Sequence, residues 1–265
     1  VPLATVISQV ISAGLVFWCL VKSEGALKLR IRDLRISKVK LKRIAKIGLP
    51  AGMQGAVFSI SNVLIQSSVN SFGSIAMAGN TASQNIEGFI YNAMNAIYQT
   101  NLSYGGRKDK RIGRITLTCV GVVTAVGLGM GLAAFAAGES LLRIYSSDPE
   151  VIQFGLKRMA VFGTTYFLCG IMDTMVGSLR GLGYSIGPMI VSLIGACGLR
   201  VAWIFTIFQM YRTPENLYIS YPISWIVTGA VHILFFLYAR KKAFALVRAD
   251  SRKETEGEHP VTEEQ

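Results

Sequence analysis

Two stretches of this sequence carry polar side chains at helical spacing through segments otherwise apolar enough to sit in lipid. Gln54, Asn62, Gln66 and Asn70 are eight, four and four residues apart, so they share one face at 3.6 residues per turn. Asn80, Gln84, Glu87, Tyr91, Asn95 and Gln99 recur every three or four residues, with Glu87 the only formal charge on the stripe. At membrane depth such groups are costly unless they face protein interior or a water-filled cavity. The stripes therefore line a wet path for a solute or ion, or they glue helices together by interhelical hydrogen bonds. Their chemistry is recognition: amides, a phenol and a carboxylate can hydrogen-bond a solute or hold Na+ or H+, but they make no nucleophile–base pair.

The rest of the inventory points away from enzymatic work. Only two histidines occur, His232 and His259. The four cysteines, Cys19, Cys119, Cys169 and Cys197, lie inside apolar runs without a Cys-x-x-Cys pair, which argues against a zinc site and a disulfide framework. No Gly-x-x-x-x-Gly-Lys-Ser/Thr is present, so this chain does not hydrolyse a nucleotide by the P-loop route. An ion gradient remains as the common source of work. No enzyme activity, cofactor or resident metal is expected.

Three ionisable residues stand in apolar runs away from their ends: Glu87, Asp173 and Arg200. At about 1.5 Å per residue, Glu87 lies roughly 16 to 18 Å from the outer end of its run, Asp173 roughly 10 Å from the cytoplasmic boundary and Arg200 about 20 Å above it. Depth matches Arg200 to Glu87, as a structural ion pair. The alternative is that Glu87 titrates or binds a cation during a transport cycle. Asp173 carries the same two readings, packing or transport, and Na+ would sit at Glu87 or Asp173. The candidate substrate and ion contacts are Gln54, Asn62, Gln66, Gln84, Glu87, Tyr91, Asn95 and Asp173.

Seven apolar runs must position these groups. With 51% hydrophobic and 16% charged residues among 265 and a mean hydropathy of +0.44, the class is all-α integral membrane. Runs of roughly 20 residues suffice to cross the hydrocarbon, and they fall near 2–21, 47–72, 75–104, 115–137, 151–179, 187–210 and 217–239. Basic residues alternate between the connections. Ten occupy the first linker, and the side that holds it carries 22 in total against four (Arg143, Lys157, Arg158 and Arg212) opposite. The positive-inside rule makes the richer side cytoplasmic, placing Val1 outside and the tail inside. The net charge of +12 is thereby a topology signal, with no nucleic acid implied. Pro50 and Pro188 are expected in first helical turns, where a missing N–H costs little, and Pro222 about one turn into the last helix. The segment 127–134, Gly-Leu-Gly-Met-Gly-Leu-Ala-Ala, reads as small-residue helix packing, 180–188 as a hairpin turn, and 251–265 as a disordered acidic tail.

Four segments in order resemble one family. Gly48-Leu-Pro50-Ala-Gly-Met-Gln54, Asn70-Ser-Phe72-Gly73, Leu179-Arg-Gly-Leu-Gly183-Tyr184 and Tyr221-Pro222-Ile-Ser-Trp225 resemble the carboxyl-terminal half of MATE (multidrug and toxic compound extrusion) transporters. The resemblance implies a six-helix transporter lobe preceded by one additional transmembrane helix. The organisation is then 1–21 as the last helix of a first lobe, 22–46 as a basic cytoplasmic linker, 47–240 as the C-terminal lobe and 241–265 as a cytoplasmic tail. It further implies secondary antiport at the plasma membrane, with cationic or amphipathic compounds leaving as Na+ or H+ enters, and a partner N-terminal lobe that this stretch lacks. Two alternatives stand beside it. A lipid-linked saccharide flippase of the same superfamily would need several arginines in the cavity, where the sequence offers only Arg200; a truncated chain would be a non-transporting membrane scaffold. One departure from many relatives is the direct run of Tyr98-Gln-Thr-Asn-Leu-Ser-Tyr104 into Gly105-Gly-Arg-Lys-Asp.

Overall fold

Helices take up nearly all of the computed structural model, which describes residues 2–23, 29, 35–105 and 112–257. They are α1 (Pro2–Lys22), α2 (Lys38–Asn70), α3 (Ser74–Gly105), α4 (Ile112–Ala136), the short α5 (Gly138–Arg143), α6 (Pro149–Gly181), α7 (Ile186–Ser192), α8 (Leu199–Phe205), α9 (Ile207–Met210) and α10 (Pro214–Gly257). A π-helical segment, Leu193–Gly198, joins α7 to α8. The chain divides into two compact units, Val1–Ala45 and Lys46–Gln265. The first holds α1 and the opening of α2; the second holds every residue of the cleft described below.

Among the described residues, five helices are long and apolar enough to cross a membrane: α2, α4, α6, the 186–210 rod and α10. A shorter apolar stretch, Val6–Lys22, lies in α1. α3 has the length, but its polar stripe dilutes its apolar content. Large apolar side chains such as Val63, Leu117, Ile194 and Leu234 are 67%, 72%, 69% and 67% exposed, a surface that only lipid or a protein partner would cover without cost. The chain is an all-α membrane protein.

In the second unit α6 is the central rod, packed against α3, α4 and α10. Its start is fixed by Asp148, whose side chain accepts from the Glu150 amide at 2.9 Å, with Pro149 in the first turn. The far end closes where the Tyr184 amide donates to the Leu179 carbonyl at 2.9 Å and Gly183 takes φ +92°, a left-handed stop that a side chain would strain. Residues 180–188 are the expected hairpin. The glycine-rich run of α4 does pack as small residues: a Cβ at Gly131 would stand 2.3 Å from the Gly163 carbonyl oxygen of α6. Absence of side chains there lets the two backbones touch.

Several boundaries differ from those read off the sequence. α2 begins at Lys38, nine residues before its apolar run, so Pro50 is inside the helix and not in its first turn. Basic residues can extend a helix beyond the hydrocarbon because water, not lipid, solvates them there. α10 starts at Pro214, which puts Pro222 about two turns in, and it likewise continues to Gly257, into the stretch expected to be disordered. The sixth run is not uniform, having a π segment and a break at Thr206 (φ −118°, ψ −83°). Lys28, Arg30, Arg32, Arg107, Lys108, Lys110, Arg111 and His259, and the junction after Gly105, lie outside the described residues.

Candidate functional site

α2, α3, α6, α8 and α10 enclose an open cleft of about 780 Å³. The amide face of α2 supplies Gln54, Asn62 and Gln66, and α3 supplies Gln84, Glu87, Tyr91, Asn95 and Tyr98. From α6 come Arg158, Phe162, Tyr166, Asp173 and Arg180, from α8 Arg200, and from α10 Tyr221 and Trp225. All eight candidate contacts read from the sequence line this cleft, and so does Arg200. Asn70, Asn80 and Gln99, on the same two stripes, do not.

A hydrogen-bonded chain ties α6, α3 and α2 together beside the cleft, on the side of the α2–α3 turn. The Arg158 guanidinium donates to both Glu87 carboxylate oxygens, Nε to Oε1 at 2.8 Å and Nη2 to Oε2 at 2.7 Å, and through Nη1 to Asn80 Oδ1 at 2.9 Å. Asn80 Nδ2 donates to Gln66 Oε1 at 3.1 Å, and Gln66 Nε2 to Asn70 Oδ1 at 3.0 Å. Ser83 adds a donor to Glu87 Oε1 at 3.1 Å. Arg158 also lies 4.1 Å over the Phe162 ring. Glu87 and Arg158 are 6% and 3% exposed, so the pair is a matched charge held out of solvent.

At the opposite end, Arg180 Nη1 donates to Tyr98 Oη at 2.8 Å and Nη2 to Gln54 Oε1 at 2.6 Å. This tie joins the C-terminal turns of α6 and α3 to α2. Between the two ends lies an aromatic wall: Phe162 is 4.9 Å from Tyr221 and 5.6 Å from Trp225, ring to ring, with Tyr166 5.5 Å from Trp225. Asp173 faces the cleft from α6; its closest hydrogen-bonding contact among the described residues is the Cys169 thiol at 4.0 Å. No cluster of three or more His, Cys, Asp or Glu side chains with metal-ligand spacing occurs among the described residues.

Two expectations are corrected here. Glu87 does not pair with Arg200. Its partner is Arg158, assigned from sequence to an outer connection because it neighbours the end of a run; α6 starts at Pro149, so Arg158 lies about 13 Å along the helix and reaches Glu87. The depth argument applied to Arg158 as well as Arg200 finds it. Arg200 instead donates from Nε to Ser224 Oγ at 2.8 Å and stacks 4.3 Å over Tyr221 and 5.7 Å over Trp225. The second correction concerns arginine count: the cleft holds three, Arg158, Arg180 and Arg200, where the sequence offered one. Arg158 and Arg180 thus leave the topology tally without changing its direction.

The MatE family model matches residues 50–206, more than half of the chain. The chain belongs to the MatE family. It is 25% identical over 258 residues to the probable multidrug resistance protein NorM of Thermotoga maritima, covering 95% of this chain and 55% of that protein. It is also 25% identical over 210 residues to the probable multidrug resistance protein YpnP of Bacillus subtilis, covering 77% and 46%. Among solved structures it superposes on a MOP superfamily transporter from Pyrococcus furiosus with TM-score 0.77 and 18% identity, over 92% of this chain and 56% of that one. This MatE chain spans about half the length of the curated relatives it matches.

The segments that resemble MatE proteins converge on the cleft. Gln54 from the first and Arg180 from the third are hydrogen-bonded to each other, while Tyr221, Ser224 and Trp225 from the fourth surround Arg200. Gly73 of the second has φ +96° and turns α2 into α3, which sets Asn80 opposite Gln66.

Proposed function

We propose that this chain forms one lobe of a secondary antiporter that exports amphipathic compounds in exchange for Na+ or H+. The observation that carries the reading is the 780 Å³ cleft: it is of the size that takes a small organic molecule, lies among membrane-length helices, and combines amides with an aromatic wall. The multidrug resistance proteins to which the chain is similar support the same reading. The reading places the chain in the plasma membrane with the C-terminal end of α10 on the cytoplasmic side, an orientation that the distribution of basic residues supports.

Of the two carboxylates in the cleft, Asp173 is the one suited to coupling. Glu87 is already bidentate to Arg158, whereas Asp173 has no ion-pair partner within 4.0 Å among the described residues. We therefore assign coupling to Asp173 and leave Glu87 in the scaffold. Expressed in the complete protein, Asp173→Asn is expected to abolish ion-driven dye efflux from loaded cells while the protein remains in the membrane. Full efflux by that variant would remove Asp173 from the mechanism; absence of efflux from the unmutated protein for every dye tried would defeat the transport reading.

A second cargo, a lipid-linked saccharide, is favoured by one observation: the three arginines on the cleft. Flipping of a fluorescent lipid-linked saccharide in proteoliposomes, with no efflux of soluble dyes, would select it.

A further inference from the structure

We propose that Arg200 is an oxyanion anchor, so that the cleft takes amphipathic molecules bearing a single carboxylate, sulfate or phosphate. The inference rests on the substrate-cleft reading above and names the charge of what enters.

Charge bookkeeping in the cleft leaves a cation over. Arg158 and Glu87 neutralise each other through two short hydrogen bonds. What remains is Arg180 and Arg200 against Asp173, and neither arginine has a carboxylate within 4.0 Å among the described residues. Arg180 commits both terminal nitrogens to Tyr98 and Gln54, with only its Nε buried and unpartnered among the described residues. Arg200 spends one nitrogen. Only Nε is hydrogen-bonded, and Nη2 is buried with no partner among the described residues although the residue is 3% exposed. An unsatisfied guanidinium nitrogen in a low-dielectric setting costs free energy that a ligand oxygen would return.

The surroundings hold that nitrogen in place. The guanidinium carbon lies 4.3 Å from the Tyr221 ring centre and 5.7 Å from that of Trp225, contacts that restrain a fork whose geometry suits an oxyanion. Ser224 locks Nε, and the π-helical segment 193–198 immediately precedes α8; its extra residue per turn sets the direction in which Arg200 leaves the helix. Phe162, Tyr166 and Trp225 supply apolar wall beside it. A flat ring system carrying one anionic group matches this combination.

The test uses the complete protein in phosphatidylcholine nanodiscs and three probes: radiolabelled estrone sulfate, uncharged estrone and the cation tetraphenylphosphonium. Estrone sulfate is expected to bind at least about ten-fold more tightly than estrone, and Arg200→Gln to erase about that factor, with Arg200→Lys retaining part of it. Asp173→Asn, which removes the opposing charge, is expected to tighten estrone sulfate about three-fold, a gain that misfolding cannot produce. The same oxyanion could arrive on a membrane lipid. If so, adding phosphatidylglycerol to the nanodiscs displaces estrone sulfate from the unmutated protein but not from Arg200→Gln; if not, it leaves binding unchanged. Binding of tetraphenylphosphonium with no preference for the sulfate overturns the oxyanion anchor and leaves the transport reading intact. No binding of any probe overturns both.

Discussion

Replacing Glu87 by glutamine leaves the Arg158 guanidinium buried without a carboxylate, and the structure gives the size of the loss. Both side chains are almost fully covered, 8% and 4% exposed, and the shortest contact is 2.7 Å. Breaking a buried pair from one side costs about 3–5 kcal/mol because the remaining charge is uncompensated. Glutamine can still accept one hydrogen bond from Arg158, which puts the expectation near the lower end, about 3 kcal/mol. For a chain of this size each kcal/mol corresponds to about 2–4 °C, so thermal unfolding in detergent, read by size-exclusion of the fluorescently tagged protein, should shift down on the order of 10 °C. The double variant Glu87→Leu, Arg158→Met removes both charges and keeps the volume; it is expected to recover most of that loss. A transport carboxylate would behave differently, with unfolding unchanged and efflux lost. An unfolding temperature for Glu87→Gln within about 2 °C of the unmutated protein, less than the shift expected from 1 kcal/mol, or a double variant no more stable than the single one, would refute the assignment of Glu87 to the scaffold.

Other perturbations follow from the same geometry. Gly131→Val places its Cβ 2.3 Å from the Gly163 carbonyl oxygen, so α4 must lift off α6, and a lowered unfolding temperature with reduced yield of monodisperse protein is expected. Arg180→Gln cuts the tie to Tyr98 and Gln54, costing about 1–3 kcal/mol; a Gly55→Cys reporter in the cleft should then react faster with maleimide. Ser224→Ala removes the oxygen that accepts from Arg200 Nε. Estrone sulfate binding should weaken, by less than in Arg200→Gln, while tetraphenylphosphonium binding holds.

How much of this was legible beforehand can be judged residue by residue. Gln54, Asn62, Gln66, Gln84, Glu87, Tyr91 and Asn95 reach one cleft because a helix repeats every 3.6 residues, and that period is written in the order of the residues. Gly73 and Gly183 announce their turns because a positive φ favours the residue without a Cβ. The close approach of Gly131 to α6 was visible as a run of small residues. Membrane class needed only the length and spacing of apolar runs.

Pairing lay beyond that information. Glu87 has two arginines at comparable depth, and depth is a coordinate along one axis; which arginine meets it depends on how α3 and α6 are rotated and how closely they pack. That rotation makes Arg158 the partner and leaves Arg200 to Ser224, Tyr221 and Trp225. The charge of the cleft follows from the same cause: Arg180 looked like a loop residue until the ends of α2, α3 and α6 brought Gln54 and Tyr98 to it. Sequence determined which faces of the helices are polar, because periodicity is local; only the tertiary packing decided which charges cancel, because cancellation requires two distant segments to meet within about 3 Å.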